Sequence, residues 1–374
     1  MARVLFISKP IAPPFHDGSK CLVRDVACNL DRHQAEVLTT ADAPAIGGRE
    51  GALVMHRIYS DAGAFTPALR QNLRAASWLA TRAQADIWHY VFAPNPTTSQ
   101  LGRALRWLRR KPVLQTVASA PREFSGVARL LFGDLVVAQS EHTARRIADA
   151  YDREQVPTSM RRPVHVIPPP VPCLREPSAE DQGSARRTLG IGPEKRILLF
   201  PGDLETGGGA RRLANAAEPL LATVEGAVLV FAYRRKSDRA DLVASQLRVE
   251  LSHLPVKVCS DVRSMPALLA TSSAVLFPVD DLWGKVDLPI VLLEAMQLGV
   301  PVLVLDHGPL AELEGAHRVR GTGVQDWVRA TQDVVTEPET RASVILAQTQ
   351  AVARCYAAEV VARRYSALYD SLGS

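Results

Sequence analysis

The 374-residue sequence predicts an α/β protein made of two parallel-sheet domains in tandem. Three observations carry that expectation. Short β-rich apolar runs alternate with helical patterns, and each strand leads through a loop into a helix, which is the βαβ rhythm of a doubly wound sheet. The rhythm breaks once, at "RRPVHVIPPPVPCLREPSAEDQGSARRTLGIGPEKR", and then restarts. The chain is also longer than the roughly 250–300 residues at which single cores stop growing. Two Rossmann-like halves satisfy all three.

In the first half, "RVLFISK" reads as a strand, "GSKCLVRDVACNLDRH" as a helix and "AEVLTT" as a strand. "ADIWHYVF", "PVLQTVAS" and "DLVVAQS" are further strands with helical segments between them, and Val164–Ile167 is the last. Three successive prolines, Pro168 to Pro170, fit neither a helix nor a central strand. The first domain is therefore expected over 1–170 and a linker over 171–192. In the second half "RILLFPGDL", "AVLVFAYRRK", "VKVCSDV", "AVLFPVD" and "PVLVLDHG" are strands, with helices between them that include "MPALLATS" and "IVLLEAMQLG". This domain is expected over 193–345. The remaining 346–374 forms one or two helices with aromatics at helical spacing. No repeat of solenoid period is present.

Composition narrows the function classes. Hydrophobic residues make up 47%, which suits parallel strands buried on both faces. No apolar run approaches the roughly 18 residues of a membrane span, and the N-terminus reads as a first strand rather than a secretory signal. A cytoplasmic protein is expected. The five cysteines, Cys21, Cys28, Cys173, Cys259 and Cys355, make no C-x-x-C pair and no disulfide framework. The formal charge of +5 mildly favours anionic partners. Nucleic acid is not expected, because aromatic platforms beside a basic stripe are lacking. The sequence has no D-x-D, H-E-x-x-H, Cys/His cluster or G-x-S-x-G, so neither a metal site nor a hydrolase elbow is indicated.

Ligands of open α/β sheets sit beyond the carboxyl ends of the strands, near helix N-termini. Residues there are the candidates, and with two such domains a cleft between them is the natural site. After strand one, "KPIAPPFHDGSK" is long for a βα connection. It places His16, Gly18 and Ser19 before a helix, as an anion-approach loop or an ordinary Pro/Gly turn. "FPGDLETGGGARRLANA" places Gly207, Gly208 and Gly209 before another helix, suited to a phosphate or to a flexible turn; it is not a P-loop. "VLVFAYRRKSDRA" brings Arg234 and Lys236 out on one side of a strand end. They suit a diphosphate, or equally a solvated basic turn. In "GKVDLPIVLLEAMQLGVPVLVLDHG", Lys285 and Asp287 lie in a loop and Pro289 in a first helical turn. Glu294 stands in an otherwise apolar helix, where an unpaired carboxylate costs several kcal/mol, so it must find backbone amides or ligand hydroxyls as donors. Finally, "LGRALRWLRRK" either lies on an anionic membrane or is a surface helix with its basic residues outward.

Several of these segments resemble the retaining GT-B glycosyltransferases of the group 1, family 4-like kind, of which this chain looks like a divergent member. "LLEAMQLGVPVLV" resembles the family's nucleotide-sugar segment, "VHVIPPPV" the strand leading to the interdomain linker, and "LVVAQSEHTARRI" a segment near the end of the first domain. "GPLAEL" matches a Gly and Glu that follow the donor site. The resemblance implies a GT-B architecture, in which two Rossmann-like domains face each other across a cleft and a C-terminal helix crosses back to the N-terminal domain. It also implies transfer of a sugar from a nucleotide-diphosphate sugar to an acceptor bound by the first domain, with retention and with no metal or other cofactor. Glu294 then matches the second Glu of a paired-glutamate motif and takes the ribose hydroxyls. The first Glu is replaced by Val286, so the neighbouring Asp287 is expected to grip the donor sugar, with Lys285 beside it. Arg234 and Lys236 replace an Arg and Lys missing from the "GDLETGGGA" loop. Gly202, Asp261, Val262, Leu288 and Pro289 complete the donor-binding candidates. The His common in the family's first domain is absent from "QTVASAP". Two rivals remain: a nucleotide-sugar epimerase of the same fold, which would draw on His16 or His89, and a non-catalytic nucleotide-sugar-binding homologue.

Overall fold

The computed structural model describes residues 1–13, 15, 17–48, 51–61, 67–260 and 262–373, with backbone only at 51–52. The chain divides into two compact units. Unit 1 comprises Met1–Pro172, Trp283–Ile290 and Cys355–Ser374; unit 2 comprises Cys173–Leu282 and Val291–Arg354.

Among the described residues, unit 1 has a seven-stranded parallel sheet in the order β5-β2-β1-β6-β7-β8-β9. Its strands are β1 (Arg3–Ile7), β2 (Gln34–Thr40), β5 (Val54–Tyr59), β6 (Ile87–Phe92), β7 (Val113–Val117), β8 (Leu135–Ala138) and β9 (Val164–Val166), and a small hairpin pairs β3 (Gly47–Gly48) with β4 (Gly51–Ala52). The central strands are mostly apolar and buried on both faces, and all five residues of β7 are buried, Gln115 and Thr116 included, as in parallel strands covered by helices. The covering helices are α1 (Gly18–Cys28), α2 (Leu69–Thr81), α3 (Pro96–Arg109), α4 (Val127–Leu130) and α5 (Glu141–Arg153). A last helix, α13 (Ala358–Gly373), adds Val361, Ala362, Tyr365 and Tyr369 to the cluster formed by β1, α1 and β6.

Unit 2 has a six-stranded parallel sheet in the order β12-β11-β10-β13-β14-β15. In chain order it runs α6 (Ala179–Leu189), β10 (Arg196–Pro201), α7 (Gly209–Thr223), β11 (Ala227–Tyr233), α8 (Asp238–Glu250), β12 (Val256–Ser260), α9 (Met265–Ala270), β13 (Ala274–Phe277), α10 (Ile290–Gln297), β14 (Val302–Leu305), β15 (His317–Val319), α11 (Val324–Thr336) and α12 (Pro338–Ala351).

Four segments differ from the sequence reading. Residues 179–189, read as linker, form α6, which is capped at Ser178 by a reciprocal Ser178–Asp181 box and closed by Gly190 in the left-handed region. Arg186 ties this helix to Thr271 Oγ1 (2.5 Å) and to the Thr271 carbonyl (3.0 Å). The C-terminal segment is two helices joined by a π-turn at Val352–Tyr356, with α12 in unit 2 and α13 in unit 1. Strands β5 and β15 were not anticipated. Among the described residues no helix is long and apolar enough to cross a membrane.

Candidate functional site

In unit 2 the candidate groups gather where β10, β11 and β13 end. The amide of Gly202 donates to the Ala232 carbonyl (3.0 Å), carrying the β10–β11 pairing one residue past the strand. A Cβ at Gly202 would stand 2.7 Å from the Phe200 ring, so the strand end packs on its own core. Asp203 follows, only 6% exposed, and accepts from Lys236 Nζ at 2.7 Å. Gly207 and Gly208 have φ of 73° and 66°, which favours glycine at both positions. Space requires glycine at Gly207 as well, since a Cβ there would meet the Asp281 carbonyl oxygen and Val279 Cγ1 at 2.7 Å each.

Helix α7 then begins at Gly209 with Gly208 as its cap, no side-chain hydrogen bond at the cap and no acid in its first turn. The first amides of a 15-residue helix are therefore not satisfied by a side-chain cap, and they carry the positive end of its dipole. Arg212 in this turn donates to the Pro278 carbonyl (2.8 Å) and pairs with Asp280, pinning the β13 loop beside the glycines. Arg212 has little signature in the sequence. Its only signal was the cation placed three residues after the glycine run.

At the end of β11, Arg234 and Lys236 are half-buried, whereas Arg235 is exposed and pairs with Asp241 at 3.2 Å. The expected alternation of the two inner cations is present. Lys236, however, is already engaged by Asp203, a partner 33 residues earlier. Val262 is half-buried, and Asp261 lies outside the described residues. Glu294 on α10 corrects the expectation of a buried carboxylate: it is half-buried, while Leu292, Leu293, Ala295 and Met296 are fully buried. The helix keeps it because it stands at the margin of the core.

Unit 1 contains the segment Trp283–Ile290. Asp287 is 5% exposed and accepts a 2.5 Å hydrogen bond from Ser140 Oγ. Ser140 is also the cap of α5, accepting from the Thr143 amide at 3.1 Å. One hydroxyl thus starts a helix and orients the candidate sugar-gripping carboxylate. Val286 and Ile290 form a small buried cluster with Cys21, and Leu288 and Pro289 are buried too. Lys285 is half-buried. Arg122 lies 4.7 Å from the Trp283 ring centre.

The turn before α1 differs from an open anion loop. Asp17 caps the helix, accepting from the Ser19 amide (2.9 Å), Ser19 Oγ (2.5 Å) and Lys9 Nζ (2.8 Å). Burial pushes the Asp17 carboxyl up, but the charge of Lys9 and these hydrogen bonds outweigh it and hold the group at about 2. Both donors of Ser19 are therefore committed to a carboxylate. Gly18 is packed so closely that its Cβ would come within 3.2 Å of both Val286 methyls. His16 lies outside the described residues.

His89, the second histidine of the epimerase reading, is wholly buried. Its Nε2 meets Thr116 Oγ1 at 2.7 Å and its Nδ1 meets the Tyr369 hydroxyl at 2.8 Å, and burial pulls its pKa down to about 3. It is a neutral residue of the unit 1 core. Among the described residues no group of three or more His, Cys, Asp or Glu is arranged to hold a metal ion.

Residues 195–337 match the family model for glycosyl transferases group 1, a span that contains the β10–α7 loop, Lys236 and Glu294. The match falls almost wholly in unit 2, which resembles a group 1 glycosyl transferase domain. Solved structures share the fold across the full length. HepE of Anabaena, in complex with UDP and glucose, superposes with a TM-score of 0.73 at 15% identity, covering 99% of this chain and 100% of its own. Sucrose-phosphate synthase from Thermosynechococcus elongatus gives 0.73 at 17%, covering 100% and 99%. AviGT4, a glycosyltransferase involved in avilamycin A biosynthesis, gives 0.64 at 21%, covering 100% and 98%. No curated protein sequence matches this chain significantly.

Proposed function

We propose that this chain is a glycosyltransferase that acts in the cytoplasm and uses a nucleotide-diphosphate sugar as donor, transferring the sugar to an acceptor with retention of configuration and without a metal ion. The observation that carries the reading is the group 1 match over the one stretch that holds a glycine-shaped loop, a helix N-terminus without a side-chain cap and two half-buried cations at a strand end. That combination suits a diphosphate, because backbone amides and a dipole approach it from one side and cations from the other. HepE is seen with UDP and with UDP-glucose, which supports the same donor class here.

In this reading the α7 amides, Arg234 and Lys236 hold the diphosphate, with Lys236 exchanging Asp203 for phosphate oxygens. Glu294 accepts from the two ribose hydroxyls. Gly202 and Val262 are further nucleotide contacts from unit 2, Leu288 and Pro289 are donor candidates of unit 1, and Asp287 and Lys285 are the candidates for holding the transferred sugar. Stabilising the departing diphosphate carries most of the catalysis: the anomeric C–O bond breaks towards an oxocarbenium-like sugar, the acceptor hydroxyl attacks from the same face, and its proton passes to the departing diphosphate oxygen.

A thermal-shift screen against nucleotide sugars tests the donor class, since a ligand bound only by the folded state raises the melting temperature. Product analysis by NMR, with and without a chelator, tests retention and metal independence. An inverted product, or loss of turnover on chelation, defeats those claims. A new sugar isomer formed without acceptor would establish the epimerase instead, and donor binding with no turnover across acceptors the non-catalytic homologue.

A further inference from the structure

We propose that the outer face of α3 in unit 1 is a docking surface for an anionic lipid bilayer. This inference is independent of the donor reading. The helix buries only a narrow stripe, Ser99, Gly102 and Leu105, and Gly102 is so close to the Phe132 ring that a Cβ would stand 2.3 Å from it. Two of its arginines are structural. Arg106 pairs with Asp134 and reaches the Phe132 carbonyl, while Arg109 donates to the carbonyls of Ala80 (2.9 Å) and Ala83 (2.6 Å) at the end of α2.

The opposite face has a different character. Leu101, Ala104 and Leu108 follow helical spacing outward, Trp107 is 79% exposed and Leu108 56%, and Met160, from the neighbouring β9 approach, is 57% exposed. A large apolar cluster of this kind on a surface marks an interaction site, and Trp in particular suits a headgroup interface.

The cations settle the partner. A hollow of about 910 Å³ beside Trp107 and Met160 is lined by Arg103, Arg110, Lys111 and Arg162. Among the described residues the side chains of these four have no hydrogen-bond or ion-pair partner, whereas the one acid of the hollow, Asp134, is taken by Arg106 and by the Val113 amide (2.8 Å). Arg110 even occupies the left-handed cap of α3 (φ 51°), where glycine would be less strained. Exposed Trp, Leu and Met ringed by unpartnered Arg and Lys match an interfacial helix, with apolar groups entering the acyl boundary and cations among anionic headgroups.

Vesicle sedimentation of the full chain tests this. Binding is expected to vesicles containing phosphatidylglycerol and not to pure phosphatidylcholine, and it should weaken as salt rises. Arg103→Glu/Arg110→Glu should weaken binding at least 25-fold, at about fivefold for each cation removed. Trp107→Ala/Leu108→Ala should also weaken it, with unchanged melting temperature and unchanged donor affinity in both variants. The proposal is overturned if anionic vesicles are not bound at low salt, if either double variant binds like the native chain, or if this face binds soluble heparin while ignoring vesicles.

Discussion

The Asp203–Lys236 pair shows how one residue can have two competing roles. Both side chains are mostly shielded, at 8% and 24% exposure, so removing one partner costs more than breaking a surface salt bridge, yet the pair occupies the cation proposed for the diphosphate. If Lys236 serves only structure, Asp203→Asn and Lys236→Met should destabilise alike and leave the donor Kd alone. If Lys236 binds the donor, Lys236→Met should weaken donor binding about tenfold or more, whereas Asp203→Asn leaves Lys236 available and binding equal or tighter. Calorimetry with the donor identified by thermal shift separates the two. Glu294→Gln should likewise weaken donor binding, by about 3–30-fold, because an amide can still accept from a hydroxyl but without charge. An unchanged Kd in both Lys236→Met and Glu294→Gln rejects the site assignment.

A second residue-scale prediction concerns acid. His89 has a folded pKa of about 3 against an ordinary value of 6.5, a depressed value caused by burial. Above pH 6.5 it is neutral in both folded and unfolded chains and has no effect on the balance. Between about 6.5 and 3 the unfolded chain binds a proton that the folded chain refuses. Stability contributed by this site therefore falls as pH falls, by up to about 1.4 kcal/mol per pH unit. His89→Gln should flatten that dependence in denaturant titrations, and an unchanged slope would show that other groups govern acid sensitivity. The sequence disclosed Glu294, Arg234 and Lys236 as candidates because strand-end and helix positions follow from local pattern. It did not disclose that Lys236 meets Asp203, that Ser140 meets Asp287 147 residues away, or that His89 is sealed between Thr116 and Tyr369, since those pairings depend on which loops and helices meet in space.

At the scale of elements, the βα loops turn sheet geometry into chemistry, and the one between β10 and α7 is the most constrained. Gly207→Ala would put a methyl into a left-handed conformation and against the Asp281 carbonyl, 2.7 Å away. Conformational strain and overpacking together should cost about 2–5 kcal/mol. Because the loop can relieve that strain by moving away from Val279, the larger loss is expected in donor binding: a raised KM accompanied by a modest fall in melting temperature. An unchanged KM would mean that the loop does not line the donor site.

The buried parallel strands β1, β6, β10, β11 and β14 stand out in sequence because they are apolar on both faces. β5 reads "VMHRIY", polar in the middle, because it is the edge strand of its sheet. β15 is three residues long at the other sheet's edge. α6 was hidden by the proline-rich approach and by Gly183 within it, and it has no buried residue to give it an amphipathic stripe; it is held by its caps and by Arg186.

For the whole molecule, the path of the chain between its two units makes a distinct demand. Unit 2 ends at Arg354, and the remaining residues return to unit 1, where Val361, Ala362, Tyr365 and Tyr369 are fully buried. These four side chains belong to the same cluster as Val4, Phe6, Leu22 and Val37, residues more than 300 positions earlier. The two tyrosines also complete the polar network around His89 and Thr116. Removing a buried aromatic typically costs about 3–5 kcal/mol, so deleting both tyrosines with their helix would consume most or all of a domain's usual 5–15 kcal/mol. A chain ending at Arg354 should therefore lose the cooperative unfolding of unit 1 and expose it to protease. Unit 2, which keeps every residue of its own, should still unfold in a single transition and should still be stabilised by the nucleotide. Calorimetry and limited proteolysis distinguish the units. A truncated chain whose unit 1 stays protease-resistant would show that α13 is an accessory cover rather than part of that unit's core.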